Sequence, residues 1–293
     1  MRTNLISSCW SFLAIILIVA GLLFFKASLP MSDNTQPQVF EVNSGMTLKQ
    51  VSQELLGQNL IRSANVFQAI ALIQDKEKLI KVGEYYISPS MPPAEILQRI
   101  TSGKTVLHSV TIPEGYRITE IANLLEERDL VDKNIFLQQA KNVGLLEEIP
   151  TDSLEGYLFP DTYHFGKRTT EAIIINKMVE TFKERALKQE FLKRAGDMGF
   201  SYHEIITLAS LIEKETGKDS ERKQISSVFH NRLKKNMLLQ TDPTVIYVID
   251  IFDGNIRKRD LKIDSPYNTY LYKGLPPGPI ANPGLKSIIA ALY

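Results

Sequence analysis

One cysteine, Cys9, stands in 293 residues, so no disulfide can form within the chain and thiol chemistry is excluded from everything that follows it. The four histidines, His108, His164, His203 and His230, are too widely spaced to form a metal-ligand pair, and the sequence gives no reason to expect a metal or a cofactor. Excess charge is missing as well. Lys+Arg 34 against Asp+Glu 33 leaves no basic surplus to hold nucleic acid and no acidic tail. Nor is there a second long apolar run, which limits the chain to a single membrane span.

That one run is Cys9 to Phe25, uncharged throughout, with Trp10 and Lys26 near its ends as interface residues. Extended back to Leu5, it reaches the roughly 20 residues that cross about 30 Å of hydrocarbon as a helix. No small-x-small cleavage site follows it, which favours an uncleaved anchor over a signal peptide. The resulting expectation is a cytoplasmic end at 1–8, a transmembrane helix at 9–26 and a linker at 27–38. The charge asymmetry across the run is slight, with Arg2 and the amino terminus on one side and Lys26 on the other, and leaves orientation open, while the absence of Lys and Arg from Ala27 to Leu48 suits an exported body.

Beyond the linker the chain repeats itself. FEVNSGMTLKQVSQELLGQNLI (Phe40 to Ile61) aligns without a gap on VTIPEGYRITEIANLLEERDLV (Val110 to Val131), matching Gly45 to Gly115, Val51 to Ile121, Leu55 to Leu125 and Leu60 to Leu130. Each copy reads as strand, glycine turn, amphipathic helix and polar turn. Between them lie a strand at Tyr85 to Ile87 and a helix that starts near Pro92 and Pro93 and ends by Gly103. Residues 39–108 are therefore expected to form a small module that binds or positions, 109–150 a second strand–helix unit, and 151–293 the last domain.

In that domain LEGYLFPDTYHF (Leu154 to Phe165) predicts strand, turn, strand. Helices are predicted over Ala172 to Leu187, His203 to Lys214 and Arg222 to Lys235, the last carrying Asn231 and Arg232 on its far half. LLQTDPTVIYVI predicts a polar turn at Gln240, Thr241 and Asp242, then an apolar strand from Val245 to Ile249. Tyr267, Asn268, Thr269 and Tyr270 combine ring faces with amide and hydroxyl groups, and the proline-rich Gly274 to Pro283 is stiff and extended. Such a wall suits an uncharged, hydroxyl-rich polymer.

The helix bearing LASLIEKET (Leu208 to Thr216) organises the rest. Ile205, Ile206, Leu208, Ala209 and Ile212 share one face, Glu213 falls within that apolar arc, and Glu215 sits at its edge. A carboxyl group aimed into an apolar wall is costly to ionise, and one kept protonated can act as a general acid. A glutamate on a helix margin is as a rule solvated or paired, and the helix by itself leaves both readings open.

LASLIEKET, VFHNRL, LQTDPTVIY, YNTY and GLPPGPIANPG, with LEGYLFPDTY, together resemble the MltG/YceG-like endolytic murein transglycosylases, from about Phe40 onward. The resemblance implies an α+β fold: an N-terminal membrane helix, a LysM-like α/β module and a mixed α+β catalytic domain. It further implies a lyase at the bacterial inner membrane with its body in the periplasm, near the peptidoglycan synthases. The bond cut would be MurNAc–GlcNAc inside glycan strands, leaving 1,6-anhydro ends and terminating nascent strands. By this resemblance Glu213 is the catalytic acid, while Gln240, Thr241, Asp242, Tyr267, Asn268, Thr269 and Tyr270 bind substrate. Glu215, Asn231 and Arg232 support them. Against the family pattern the chain differs in the loop at Asn236 to Leu239 and stops at Tyr293, ahead of the family's closing strands. The competing readings are a non-catalytic peptidoglycan-binding scaffold and a muramidase that hydrolyses with water.

Overall fold

The computed structural model describes the chain from Arg2 to Tyr293. The side chains of residues 2–9, 11 and 13 are outside that description, and with them the expected cytoplasmic end at 1–8 and Cys9 at the start of the expected span. The described chain is mixed α+β, with twelve α-helices and four strands. It divides into two compact units, Met1–His108 with Gly166–Arg168, and Ser109–Phe165 with Thr169–Tyr293.

The first unit begins with α1 (Arg2–Ser28), on which Trp10, Phe12, Leu17, Leu22 and Phe25 are exposed. Among the described residues no helix is long and apolar enough to cross a membrane. After α1 come β1 (Gln38–Val42), α2 (Leu48–Gly57), α3 (Ala64–Ile73), β2 (Gly83–Ile87) and α4 (Pro93–Ser102). β1 and β2 pair antiparallel with Phe40 opposite Tyr85, and both rings are buried with Val51, Leu55, Phe67 and Leu97 in one core. Pro92 caps α4, and Gly103 ends it in the left-handed region at φ 76°, as a glycine C-cap should.

The second unit opens with the second copy of the repeat: β3 (His108–Thr111), α5 (Ile118–Glu127) and α6 (Lys133–Gln139). The copies match in detail. Gly45 and Gly115 turn at φ 79° and 77°, Asn59 and Asp129 at φ 55° and 53°, and the matched positions Val51/Ile121, Leu55/Leu125 and Leu60/Leu130 are all buried. Thr47 heads α2 with a reciprocal bond to Gln50, and in α5 Glu120 accepts from the Arg117 N–H at 2.8 Å, so each helix start satisfies an otherwise orphan donor.

β3 pairs with β4 (Thr162–Phe165), the one strand formed by LEGYLFPDTYHF. The strand expected ahead of Pro160 is absent. Leu154, Tyr157, Leu158 and Phe159 lie in a turn and the irregular chain around it and are buried, so their apolar character serves the core of the unit.

The remaining helices are α7 (Glu171–Arg185), α8 (Gln189–Asp197), α9 (Tyr202–Glu215), α10 (Asp219–Lys234), α11 (Asp242–Val248) and α12 (Leu285–Leu292). Ser201 starts α9 with a capping box to Glu204, and every residue from Ile205 to Ile212 is buried. α8, α10, α11 and α12 all pack against it. α11 corrects the strand expected over Val245 to Ile249. Pro243 occupies the first turn, where a missing N–H costs nothing, and burial of Thr244 and Val245 outweighs the strand preference of a β-branched run. Gly274 to Gly284 forms neither helix nor strand, as its prolines dictate.

Candidate functional site

Two glutamates leave the C-terminal end of α9, and the structure gives them different surroundings. Glu213 has a side chain only 5% exposed, as its place in the apolar arc requires. Both of its oxygens have donors: Oε1 accepts from Arg222 Nη2 at 2.9 Å and Oε2 from the Gly284 N–H at 2.9 Å. Arg222, equally buried, also donates to Ser287 Oγ at 2.9 Å and to Asp219, and stands 3.5 Å from Glu114. Burial first, then the neighbouring Glu213, raises the Glu114 carboxyl above its ordinary range. This network joins α9, α10, the start of α12 and the Glu114–Gly115 turn. Each oxygen of Glu213 thereby already holds one donor inside the fold.

Glu215 points the other way. It is exposed, and its Oε1 accepts from the Thr241 hydroxyl. Thr241 begins the turn into α11, and the next residue, Asp242, is exposed and accepts from the Tyr270 hydroxyl. Burial, then the Asp242 carboxylate, pushes the Tyr270 phenol up to about 12, so it remains a donor across the neutral range. Glu215, Asp242 and Tyr270 thus present two carboxyl groups and a phenol to solvent at one place.

Behind them runs a buried brace. Gln240, held at φ 50°, donates its N–H to Thr269 O at 3.1 Å, and the Thr241 N–H donates to Thr269 Oγ1 at 3.1 Å. Thr244 Oγ1 lies 2.9 Å from Thr269 Oγ1. Asn268 is fully buried. It donates to Leu261 O at 3.1 Å and Ile263 O at 2.8 Å, and accepts the Tyr270 N–H at 3.0 Å. Arg232 closes the preceding turn by donating to the Leu238 and Leu239 carbonyls.

Of the residues expected to bind substrate, then, Asp242, Tyr270 and Gln240 reach the surface around Glu215. Thr241, Asn268 and Thr269 are buried struts whose polar groups are used internally. Tyr267 belongs to a separate recess, and Asn231 is exposed on α10. Sequence reasoning missed Arg222, and also Glu155, a buried carboxyl that accepts from the Ile118 N–H and from Asn282 Nδ2, each at 3.1 Å. A signal for the first was present: Arg222, Ile225, Ser226 and Phe229 fall at i, i+3, i+4 and i+7, which places a cation within the inward stripe of α10. Among the described residues no cluster of three or more His, Cys, Asp or Glu could hold a metal ion.

Comparison with known proteins agrees with this architecture. The profile of the YceG-like family matches residues 40–293. The endolytic murein transglycosylase of Bacillus subtilis (strain 168) is 33% identical over 94% of this chain and 82% of its own length. That of Streptococcus pneumoniae R6 is 32% identical over 90% of this chain and 54% of its own length. The 2.6 Å crystal structure of a YceG-like protein from Listeria monocytogenes superimposes with a TM-score of 0.59 at 33% identity, covering 89% of this chain and 91% of that one. By profile, by sequence identity and by fold, the chain belongs to the YceG-like family.

Proposed function

We propose that this protein is an endolytic murein transglycosylase, a lyase that cuts peptidoglycan glycan strands internally. The observation that carries the reading is the exposed Glu215, held by Thr241 beside the Asp242–Tyr270 pair, in a chain whose relatives bear that name. Glu215, not Glu213, is the residue placed to exchange a proton with substrate, because both oxygens of Glu213 are committed to Arg222 and Gly284. In this reading Glu215 gives its proton to the glycosidic oxygen between MurNAc and GlcNAc as the bond breaks. It then takes the proton from the muramyl C6 hydroxyl, which attacks C1 and closes the 1,6-anhydro ring. No water enters. An intramolecular nucleophile removes the need for a second carboxylate to activate water, which leaves Asp242 and Tyr270 to orient Glu215 and hold the sugar.

The finer setting belongs to the same proposal. The uncharged run from Cys9 to Phe25, some of whose side chains lie outside the described residues, anchors the chain in the bacterial inner membrane, N-terminus inside and body in the periplasm. Residues 39–108 act as a LysM-like positioning module. Cleavage beside the peptidoglycan synthases ends nascent strands.

Mass spectrometry of the products tests the chemistry. Cleavage of purified glycan strands is expected to give 1,6-anhydro-MurNAc ends, and Glu215→Gln to slow it by roughly 10²–10⁴-fold. Reducing ends carrying oxygen from labelled water would identify a hydrolase instead. Binding without any cleavage would identify a scaffold.

A further inference from the structure

A cavity of about 300 Å³ opens at the far end of α9 from Glu215, at the small end of the range for ligand sites. Asp152, Glu155, His203, Tyr247, Tyr267 and Gly278 are among its walls. The rings of Tyr247 and Tyr267 lie 4.9 Å apart at 40°, each partly exposed. His203 is fixed at both nitrogens, Nδ1 by the Tyr157 hydroxyl at 2.6 Å and Nε2 by Pro277 O at 3.0 Å. The recess is thus preformed, with tyrosine ring surface for apolar contact and carboxyl groups for hydrogen bonding.

We infer that this cavity is a second saccharide subsite, one that takes an N-acetylhexosamine ring of the same glycan strand at a distance from the bond being cut. The inference rests on the murein reading given above and extends it to the binding of a longer strand. Two connections link the cavity to the Glu215 surface. α11 carries Asp242 at its start and Tyr247 near its end, about 8 Å apart by helix rise, and the YNTY loop sends Tyr270 to Asp242 and Tyr267 into the cavity. Along α9, His203 lies about 18 Å from Glu215. That is farther than one sugar ring reaches and within reach of a strand.

The lining also argues for a neutral occupant over the ammonium group of a stem peptide. The Arg117 guanidinium sits 4.8 Å over Tyr247 and repels a cation. Burial pushes the Glu155 carboxyl up to about 8, so near neutral pH it is an uncharged hydrogen-bonding group. It faces the Ile118 N–H and Asn282 Nδ2, with Arg117, Glu120, Tyr247 and Tyr267 nearby. What remains is partly exposed tyrosine ring surface bordered by polar groups, the usual footing for a sugar ring.

The test uses the full chain in detergent, labelled with 3-fluorotyrosine and titrated with chitotetraose, with the Tyr247 and Tyr267 signals assigned through their Phe variants. Saturable shifts of both are expected. In parallel, peptide-free glycan strands are sorted by length and their cleavage measured. Wild type should favour strands long enough to span both places. Tyr267→Leu should raise KM on those strands by about two- to tenfold with kcat within about twofold, levelling long against short, whereas Tyr267→Phe should keep the preference. The inference is overturned if chitotetraose moves neither signal, if only Nα-acetyl-lysine amide does, or if Tyr267→Leu keeps the wild-type length preference. Should wild type cleave nothing while chitotetraose still shifts both signals, the subsite stands and the transglycosylase reading falls.

Discussion

Replacing each glutamate of α9 in turn separates the two roles. In Glu213→Gln the amide oxygen can still accept from one of Arg222 and Gly284, but its NH₂ then faces the other donor. One buried donor left unpaired costs about 1–3 kcal/mol, and breaking a buried ion pair by removing one partner costs about 3–5 kcal/mol. Arg222 retains Asp219 and Ser287 as partners, which moves the total toward the lower end. An overall loss of about 3 kcal/mol is expected, or roughly 6–12 °C in Tm for a unit of this size. Glu215 is exposed, and Thr241 can still donate to a glutamine carbonyl, so Glu215→Gln should stay within about 0.5 kcal/mol of wild type. Its cleavage rate should nevertheless fall roughly 10²–10⁴-fold. Thermal denaturation followed by circular dichroism, with cleavage measured below both midpoints, reads the contrast. The assignment fails if the pattern inverts: Glu213→Gln fully stable and inactive, Glu215→Gln cleaving at the wild-type rate.

Three further outcomes follow from buried groups. Glu155 holds its proton in the fold up to about pH 8 but loses it near 4.5 once unfolded. Its stabilising contribution is therefore complete below about pH 4.5 and drains away as pH rises toward 8, at about 1.4 kcal/mol per unit. Glu155→Gln should flatten the fall in denaturation midpoint between pH 5 and 8, and an unchanged slope would count against the buried, protonated acid. Asn268→Ala removes three internal hydrogen bonds at a fully buried position and should cost about 2–4 kcal/mol by urea denaturation. Gly156 turns at φ 92°, and a Cβ there would lie 2.5 Å from Pro279, so Gly156→Ala should cost at least about 2 kcal/mol in the same assay.

What was legible in the sequence is what local spacing encodes. The repeat announced two equivalent strand–helix units because a glycine turn and an i, i+3, i+4 apolar face are each written within a few residues, and Gly45/Gly115 and Leu55/Leu125 fall where expected. The run from Val245 to Ile249 misled for the opposite reason. Its residues favour a strand, while the Asp242–Pro243 start and burial against α9 make it a helix, and that packing partner lies some thirty residues earlier. In LEGYLFPDTYHF the aromatic alternation marked core, but not the turns that deliver it. For the site, the pattern drew attention to the C-terminal end of α9, and it marked Glu213 as inward-facing. It could not show that an arginine from α10 and a backbone N–H at Gly284 would be waiting there.

Those partners explain why the inward glutamate and the outward one belong together. Two residues apart on an α-helix means about 200° of rotation, so Glu213 and Glu215 face nearly opposite ways from the same turn. The inward carboxylate ties the end of α9 to α10 and to the start of α12, and between the two Lys214 donates to Gly115 O at 3.2 Å, fixing the same turn to the second repeat. A general acid works only if its carboxyl is held within a fraction of an ångström of the bond it protonates. A helix terminus frays unless it is fastened. Anchoring this one on two sides, by Glu213 to Arg222 and by Lys214 to Gly115, lets an exposed side chain at the last helical position keep a defined place relative to Asp242 and Tyr270. In the proposed chemistry the buried pair is therefore what holds an exposed glutamate in a defined place.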